Sequence, residues 1–147
     1  MMAGEWTAKI AKELNVLVTS CVVVPCSFTN PTGVLPTSRL RATWHLSNKP
    51  AERIYCEDNS EIMESYKERT KLLGLLGQNN CSLEIVDVKD FDIGPFCFQI
   101  EILETESDTS PKNHSFDNDC VTLKVFRTSQ TFHNLSKPIF YVTMAAS

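Results

Sequence analysis

The chain has 147 residues, a net charge of −4 and 42% hydrophobic side chains. That length suits one domain with a tail, and the apolar fraction supplies a core and excludes global disorder. The acidic balance argues against a nucleic-acid partner, which would need a basic face, and no window approaches the roughly 20 apolar residues of a membrane-spanning helix.

In chain order, short β-rich runs recur between turn residues, the spacing of an all-β sandwich or barrel. Trp6 to Ile10 reads as a first edge strand. Between Thr7 and Val16 the spacing of Ile10, Leu14 and Val16 also loosely fits a helix, but the strand reading is preferred. Ser20 to Phe28 alternates, with Val22, Val24 and Cys26 on one face. Thr29-Asn-Pro-Thr-Gly33 is turn chemistry. Leu40 to Leu46 alternates around Trp44, and Arg53 to Cys56 is a short strand. Glu57 to Glu68 reads as a charged loop or poorly ordered edge. Ser82 to Val86 turns Leu83 and Ile85 inward, and Val88 to Gly94 is a compact turn. Phe96 to Leu103 is the longest clear strand. The polar stretch Thr105 to Asn118 reads as a hairpin loop, and Val121, Leu123 and Val125 mark the last strand. Residues 6–127 are expected to form the domain, and 128–147 a linker, a stalk or the start of a second domain.

Six cysteines, Cys21, Cys26, Cys56, Cys81, Cys97 and Cys120, ask for an oxidising compartment. None forms a C-x-x-C pair, and the three histidines are scattered, so no metal or other cofactor is expected. Sequons at Asn80, Asn113 and Asn134 agree with a secretory route. The start lacks a basic region followed by an apolar run, so no signal peptide is visible; the reading is a mature fragment or an incomplete chain. No nucleophile stands with a base in view, so an enzyme is not expected.

These features fit an all-β immunoglobulin sandwich of variable type, two antiparallel sheets around a buried tryptophan. Its sixth strand should read Asp-x-Gly-x-Tyr-x-Cys. Asp92, Gly94 and Phe96 fill the first three places, and Phe98 stands where the bridge cysteine belongs. Cys26 then needs another partner, and Cys81 at the head of the fifth strand is the natural one, within one sheet. Phe96 and Phe98 point inward, so Cys97 is expected to point out, as is Cys120. A surface bridge between them is one outcome; pairing with Cys56, free thiols or an intermolecular link are the others.

Cys21-x-x-x-x-Cys26-Ser-Phe, Gly77-x-Asn-Asn-Cys81-Ser-Leu-x-Ile and Asp92-x-Gly-x-Phe-x-Phe together resemble the amino-terminal variable-type domain of Siglecs, the sialic-acid-binding immunoglobulin-like lectins. The resemblance covers roughly Trp6 to Val125, and the wording Gly94-Pro-Phe-x-Phe-x-Ile-Glu-Ile is similar to Siglec-related receptors of bony fish. It implies a receptor domain at the extracellular face of the plasma membrane, with further immunoglobulin domains in the full-length protein. Implied partners are a sialylated glycan or a cell-surface protein. The resemblance also implies that Cys21 bridges to the next domain, and parity agrees, since five residues separate it from Cys26.

Siglecs hold the sialate carboxylate with an arginine immediately after the aromatic that replaces the bridge cysteine. A guanidinium matches a carboxylate with two parallel donors and a permanent charge. That place here is Gln99, which has neither the charge nor the fork. Trp6 resembles the first-strand aromatic that packs on the sugar, with an edge-of-core role as the alternative. Ser115, Phe116 and Asp117 fall on the last-strand segment that meets the sugar, although Asp117 would repel a sialate. Arg41 is the nearest substitute cation by fold.

Overall fold

In the computed structural model, residues 5–31, 33, 35–105, 107, 109–127 and 141–142 are described. Their strands are β1 (Thr7–Ile10), β2 (Glu13–Leu17), β3 (Cys21–Val24), β4 (Cys26–Thr29), β5 (Leu40–Leu46) and β6 (Lys49–Tyr55), then β7 (Thr70–Leu72), β8 (Leu83–Ile85), β9 (Phe96–Ile102), β10 (Lys112–Ser115), β11 (Thr122–Phe126) and β12 (Tyr141–Val142). They build the two layers of an all-β immunoglobulin sandwich. One layer holds β1-β4 and β12-β3-β8-β7; the other holds β10-β9-β5-β6 and the pair β11-β2.

The chain changes layers at Ala11 and Lys12. Before them β1 runs antiparallel to β4; after them β2 runs parallel to β11. Pro25 separates β3 from β4, as expected of a residue with no N–H for the ladder. Once the chain has left for the other layer as β2, the free edge of β3 pairs with Tyr141 and Val142. The expected tail, 128–147, otherwise lies outside the described residues, as does Asn134.

The core is aromatic where most sandwiches of this type carry a cross-core bridge. Phe98 lies 5.5 Å from Trp44, 5.8 Å from Phe28 and 5.7 Å from Phe116, centroid to centroid. The Cys26–Cys81 disulfide stays within one layer, between β4 and the start of β8. Its sequence separation of 55 residues makes the loop it closes worth about 4 kcal/mol on the chain-entropy account.

The Asp92-Ile-Gly-Pro-Phe96 turn has its own chemistry. The Asp92 carboxylate, fully buried, takes Arg69 bidentately at 2.7 and 3.0 Å and the Lys89 N–H at 2.8 Å. The Arg69 guanidinium sits 5.0 Å over the Tyr66 ring, and burial together with the neighbouring Asp92 pushes the Tyr66 hydroxyl far above its ordinary pKa. Gly94 adopts φ +87°, and a Cβ there would stand 2.8 Å from the Phe96 nitrogen, so no other residue fits without displacing β9.

The structure differs from the sequence expectations at three places. Thr105 to Asn118 is not all loop, because Lys112–Ser115 forms edge strand β10 against β9. Its residues are mostly exposed, so it shows no apolar alternation of its own and is held by backbone bonds. Glu57 to Glu68 contains two 3-10 turns, Asn59–Glu61 and Glu64–Tyr66, and buries Tyr66. Cys97 is fully buried rather than at the surface. It stays out of the core cluster, as its parity demands, but is covered in its bridge to Cys120 and in register with buried His45.

Candidate functional site

Strand register sorts the side chains of the β10-β9-β5-β6 layer onto two faces, because directly paired residues share a face. Trp44 pairs with Phe98 and Ala42 with Ile100, all facing the core. Arg41 with Glu101, Thr43 with Gln99 and His45 with Cys97 therefore face outward. On the other flank of β9, Asn113 pairs with Glu101 and Ser115 with Gln99. Gln99 is thus half-buried in mid-sheet between Thr43 and exposed Ser115.

A cavity of about 470 Å³ opens on this outer face, its charged lining Arg41, Arg53, Glu57, Asp58, Glu61 and Glu101. Both arginines are committed within the protein. Arg41 Nε meets Glu57 at 2.6 Å, and its Nη1 donates to the carbonyls of Ser38 and Leu40 at 3.0 and 3.2 Å. Arg53 is paired with Glu61. Arg41, the substitute cation suggested by the sequence, therefore has a carboxylate partner already, and the cavity carries more acid than base.

Trp6 belongs to the other side. Its ring stacks on His114 at 5.2 Å and meets Phe116 edge-on at 6.5 Å. His114 is in register with core-facing Ile100, and Phe116 is buried with its ring stacked on Phe98 at an interplanar angle of 8°. The expected sugar contacts divide accordingly: Gln99 and Ser115 come together on the outer face, Trp6 and Phe116 on the inner one, and Asp117 is exposed after β10 ends. The structure does not bring the two pairs together.

Beside Trp6 lies a cleft of about 310 Å³ lined by Arg39, Ile102, Glu104, Lys112, Asn113 and His114. Sequence reasoning missed it. The signal was present: Lys112, His114 and Phe116 follow the period of two that a strand uses to line one face. Reading the segment as a loop concealed it.

The cysteines and sequons complete the inventory. Cys97 is bonded to Cys120; Cys21 and Cys56 are free and buried. The Cys56 thiol donates to the Asp58 carbonyl, and burial raises its pKa. Cys21 lies outside the core cluster, as parity predicts, yet it is covered. Asn80 and Asn113 are exposed, and the Asn80 side-chain oxygen accepts the Ser82 N–H at 3.0 Å. Among the described residues no three His, Cys, Asp or Glu side chains are grouped to hold a metal ion, and no helix is long and apolar enough to cross a membrane.

No family model matches the chain. It is 27% identical to human myelin-associated glycoprotein over 101 residues, which is 65% of this chain and 16% of that protein. With the rat protein the identity is 28% over 85 residues, 54% of this chain and 13% of the relative. The chain thus spans only a small part of the length of the curated relatives it matches. Among solved structures it is similar to murine CRIg, at a TM-score of 0.59 and 15% identity, covering 84% of this chain and all of that one. That likeness speaks to the fold alone.

Proposed function

We propose that residues 6–127 are the ligand-recognition domain of a Siglec-type adhesion receptor, displayed at the extracellular face of the plasma membrane. Further immunoglobulin domains complete that receptor, and Cys21 is the cysteine that joins the first of them. The similarity to myelin-associated glycoprotein and the sandwich fold support a cell-surface recognition domain. Its chemistry is not enzymatic, and it needs no cofactor. Glycans at Asn80, Asn113 and Asn134 belong to the same reading.

On this reading the domain meets sialylated glycans only weakly, and one observation carries that conclusion. The position that should present a guanidinium is Gln99, and the arginines lining the same face, Arg41 and Arg53, are tied to Glu57 and Glu61. Hydrogen bonds to charged groups contribute about 1.5–3 kcal/mol, so restoring the fork should strengthen sialoside binding by roughly ten- to a hundredfold. A sialoside array probed with wild type and Gln99→Arg tests this. Faint or blank wild-type spots that brighten with the arginine are expected. Strong wild-type binding that Gln99→Arg leaves unchanged would refute it.

A second reading is a protein partner docked on the outer face. The excess of carboxylates in the outer cavity favours it, since a surface of this kind suits a basic patch better than an acidic sugar. Sialidase treatment of target cells separates the two: binding that persists after treatment belongs to a protein, and binding that vanishes belongs to a sialoside.

A further inference from the structure

The two disulfides sit in unlike places. Cys26 and Cys81 are buried and belong to the core cluster, within one layer. Cys97 and Cys120 stay out of that cluster. Cys97 is covered, whereas Cys120 is only partly buried. The bridge between Phe96 and Val121 sets Cys97 opposite Cys120, with the Cα atoms 4.4 Å apart. An external nucleophile therefore reaches the Cys120 sulfur first, and attack there expels Cys97.

The neighbour of Cys97 on the other side is His45. Register places the two opposite each other across β5 and β9, on one face of the sheet. His45 is 2% exposed. Its Nδ1 lies 2.8 Å from the Leu46 carbonyl oxygen. A carbonyl only accepts, so Nδ1 carries the proton, and in the neutral ring Nε2 is an acceptor. Nε2 is buried with no partner among the described residues. Leaving a buried acceptor without a donor costs free energy, and neither sulfur of a disulfide has a proton to give. A thiol at Cys97 has one. His45 thus gains a donor in register with it only when the bridge opens.

We propose that Cys97–Cys120 is a thiol–disulfide exchange site for an external dithiol, with His45 holding the released Cys97 thiol. A thiolate of the dithiol bonds to the Cys120 sulfur as the Cys97–Cys120 bond breaks, and Cys97 leaves as a thiolate. Cys97 takes up the proton that the attacking thiol gave up and donates the new S–H to His45 Nε2. The second thiolate of the reductant then attacks the mixed disulfide, closes its own disulfide and releases Cys120, which takes the second proton. Two electrons and two protons pass to the protein, and the dithiol is oxidised. Opening frees the Asp117–Cys120 turn from β9. Phe116, stacked on Phe98, and Val121, hydrogen-bonded to Phe96, hold the chain on either side of it. The switch therefore alters one edge of the outer face and leaves the core closed. It stands on these cysteines and His45 alone, whichever ligand the domain takes.

The test is equilibration of the whole chain in reduced and oxidised dithiothreitol at graded ratios. Acid quenching, alkylation of free thiols in denaturant and mass spectrometry of each cysteine peptide then report which bridge is open. Cys97 and Cys120 should open at a reduced-to-oxidised ratio about tenfold or more below that needed by Cys26 and Cys81, which is about 30 mV for a two-electron couple. His45→Leu removes the acceptor and should raise the ratio for Cys97 and Cys120 by about tenfold. Cys26 and Cys81 should keep their wild-type ratio in that variant, which verifies its fold. His45→Gln retains an acceptor oxygen and should keep the wild-type ratio for both bridges. In the ¹⁵N-labelled wild-type protein the His45 Nε2 resonance should move when Cys97–Cys120 opens, a readout that decides the matter without any variant if His45→Leu does not fold. The proposal is overturned if the two bridges open together, if Cys26–Cys81 opens first, or if the Nε2 resonance stays where it is. A folded His45→Leu variant with an unchanged Cys97–Cys120 ratio overturns it as well.

Discussion

The outer cavity is built on β5, β6 and β9, the Trp6 cleft on the end of β9 and edge strand β10, and each contains two cationic side chains. They differ in what those cations already touch. Arg41 and Arg53 are each matched by a carboxylate, whereas Arg39 has one backbone acceptor and Lys112 is exposed to solvent. Only the cleft has an aromatic wall. The lesson is that a positive residue near a binding face says little until its hydrogen-bonding capacity is accounted for. A guanidinium closed onto its own protein's carboxylate must break that pair before it can serve a ligand.

Three changes would break or sharpen this comparison. The largest effect is expected from Asp92→Ala, which leaves the mostly buried Arg69 charge without its partner. A loss of about 3–5 kcal/mol in denaturant unfolding is expected, with both concavities disappearing in one transition; two separate transitions would mean that the faces are independent units. Next is the double change Cys97→Ala with Cys120→Ala. Their separation of 23 residues puts the expected loss at about 3 kcal/mol. The bridge lies on the outer-face side of β9, so the Trp6 indole signal of the folded variant should stay where it is in wild type. A shifted signal would show that the bridge also shapes the cleft. The smallest effect on stability is expected from Glu57→Gln with Glu61→Gln. Both pairs are partly exposed, so the cost should stay below about 1 kcal/mol per pair. The change removes the charged partner of each arginine while Arg41 keeps its backbone acceptors, and the outer face should then gain affinity for acidic glycosides, read as new shifts at the Gln99 amide. No gain would mean that the internal pairs are not what silences that face.

Much of the fold was legible before any coordinates. β5, β8 and β9 carry clear apolar alternation because one face of each packs into the core cluster, and that packing writes a period of two into the sequence. The Asp92-x-Gly-x-Phe turn was legible because it needs a buried carboxylate and a glycine at positive φ. Edge strand β10 was not, since its side chains are mostly exposed and polar, and the inward spacing of His114 and Phe116 is too short to mark a strand by apolar alternation. The parallel pairing of β2 with β11 was equally hidden, because nothing local in either segment encodes a partner more than a hundred residues away.

The sequence by itself determined the class of sandwich, the aromatic in place of the cross-core bridge and the absence of an arginine at position 99. These depend on residue type and local periodicity. Tertiary structure alone decided that Trp6 and Gln99 stand on opposite faces, that Cys97 is covered, and that Arg39 and Lys112 share a cleft. Each of those turns on which distant strands pair and in what register, and a one-residue difference in register reverses the face on which every side chain appears.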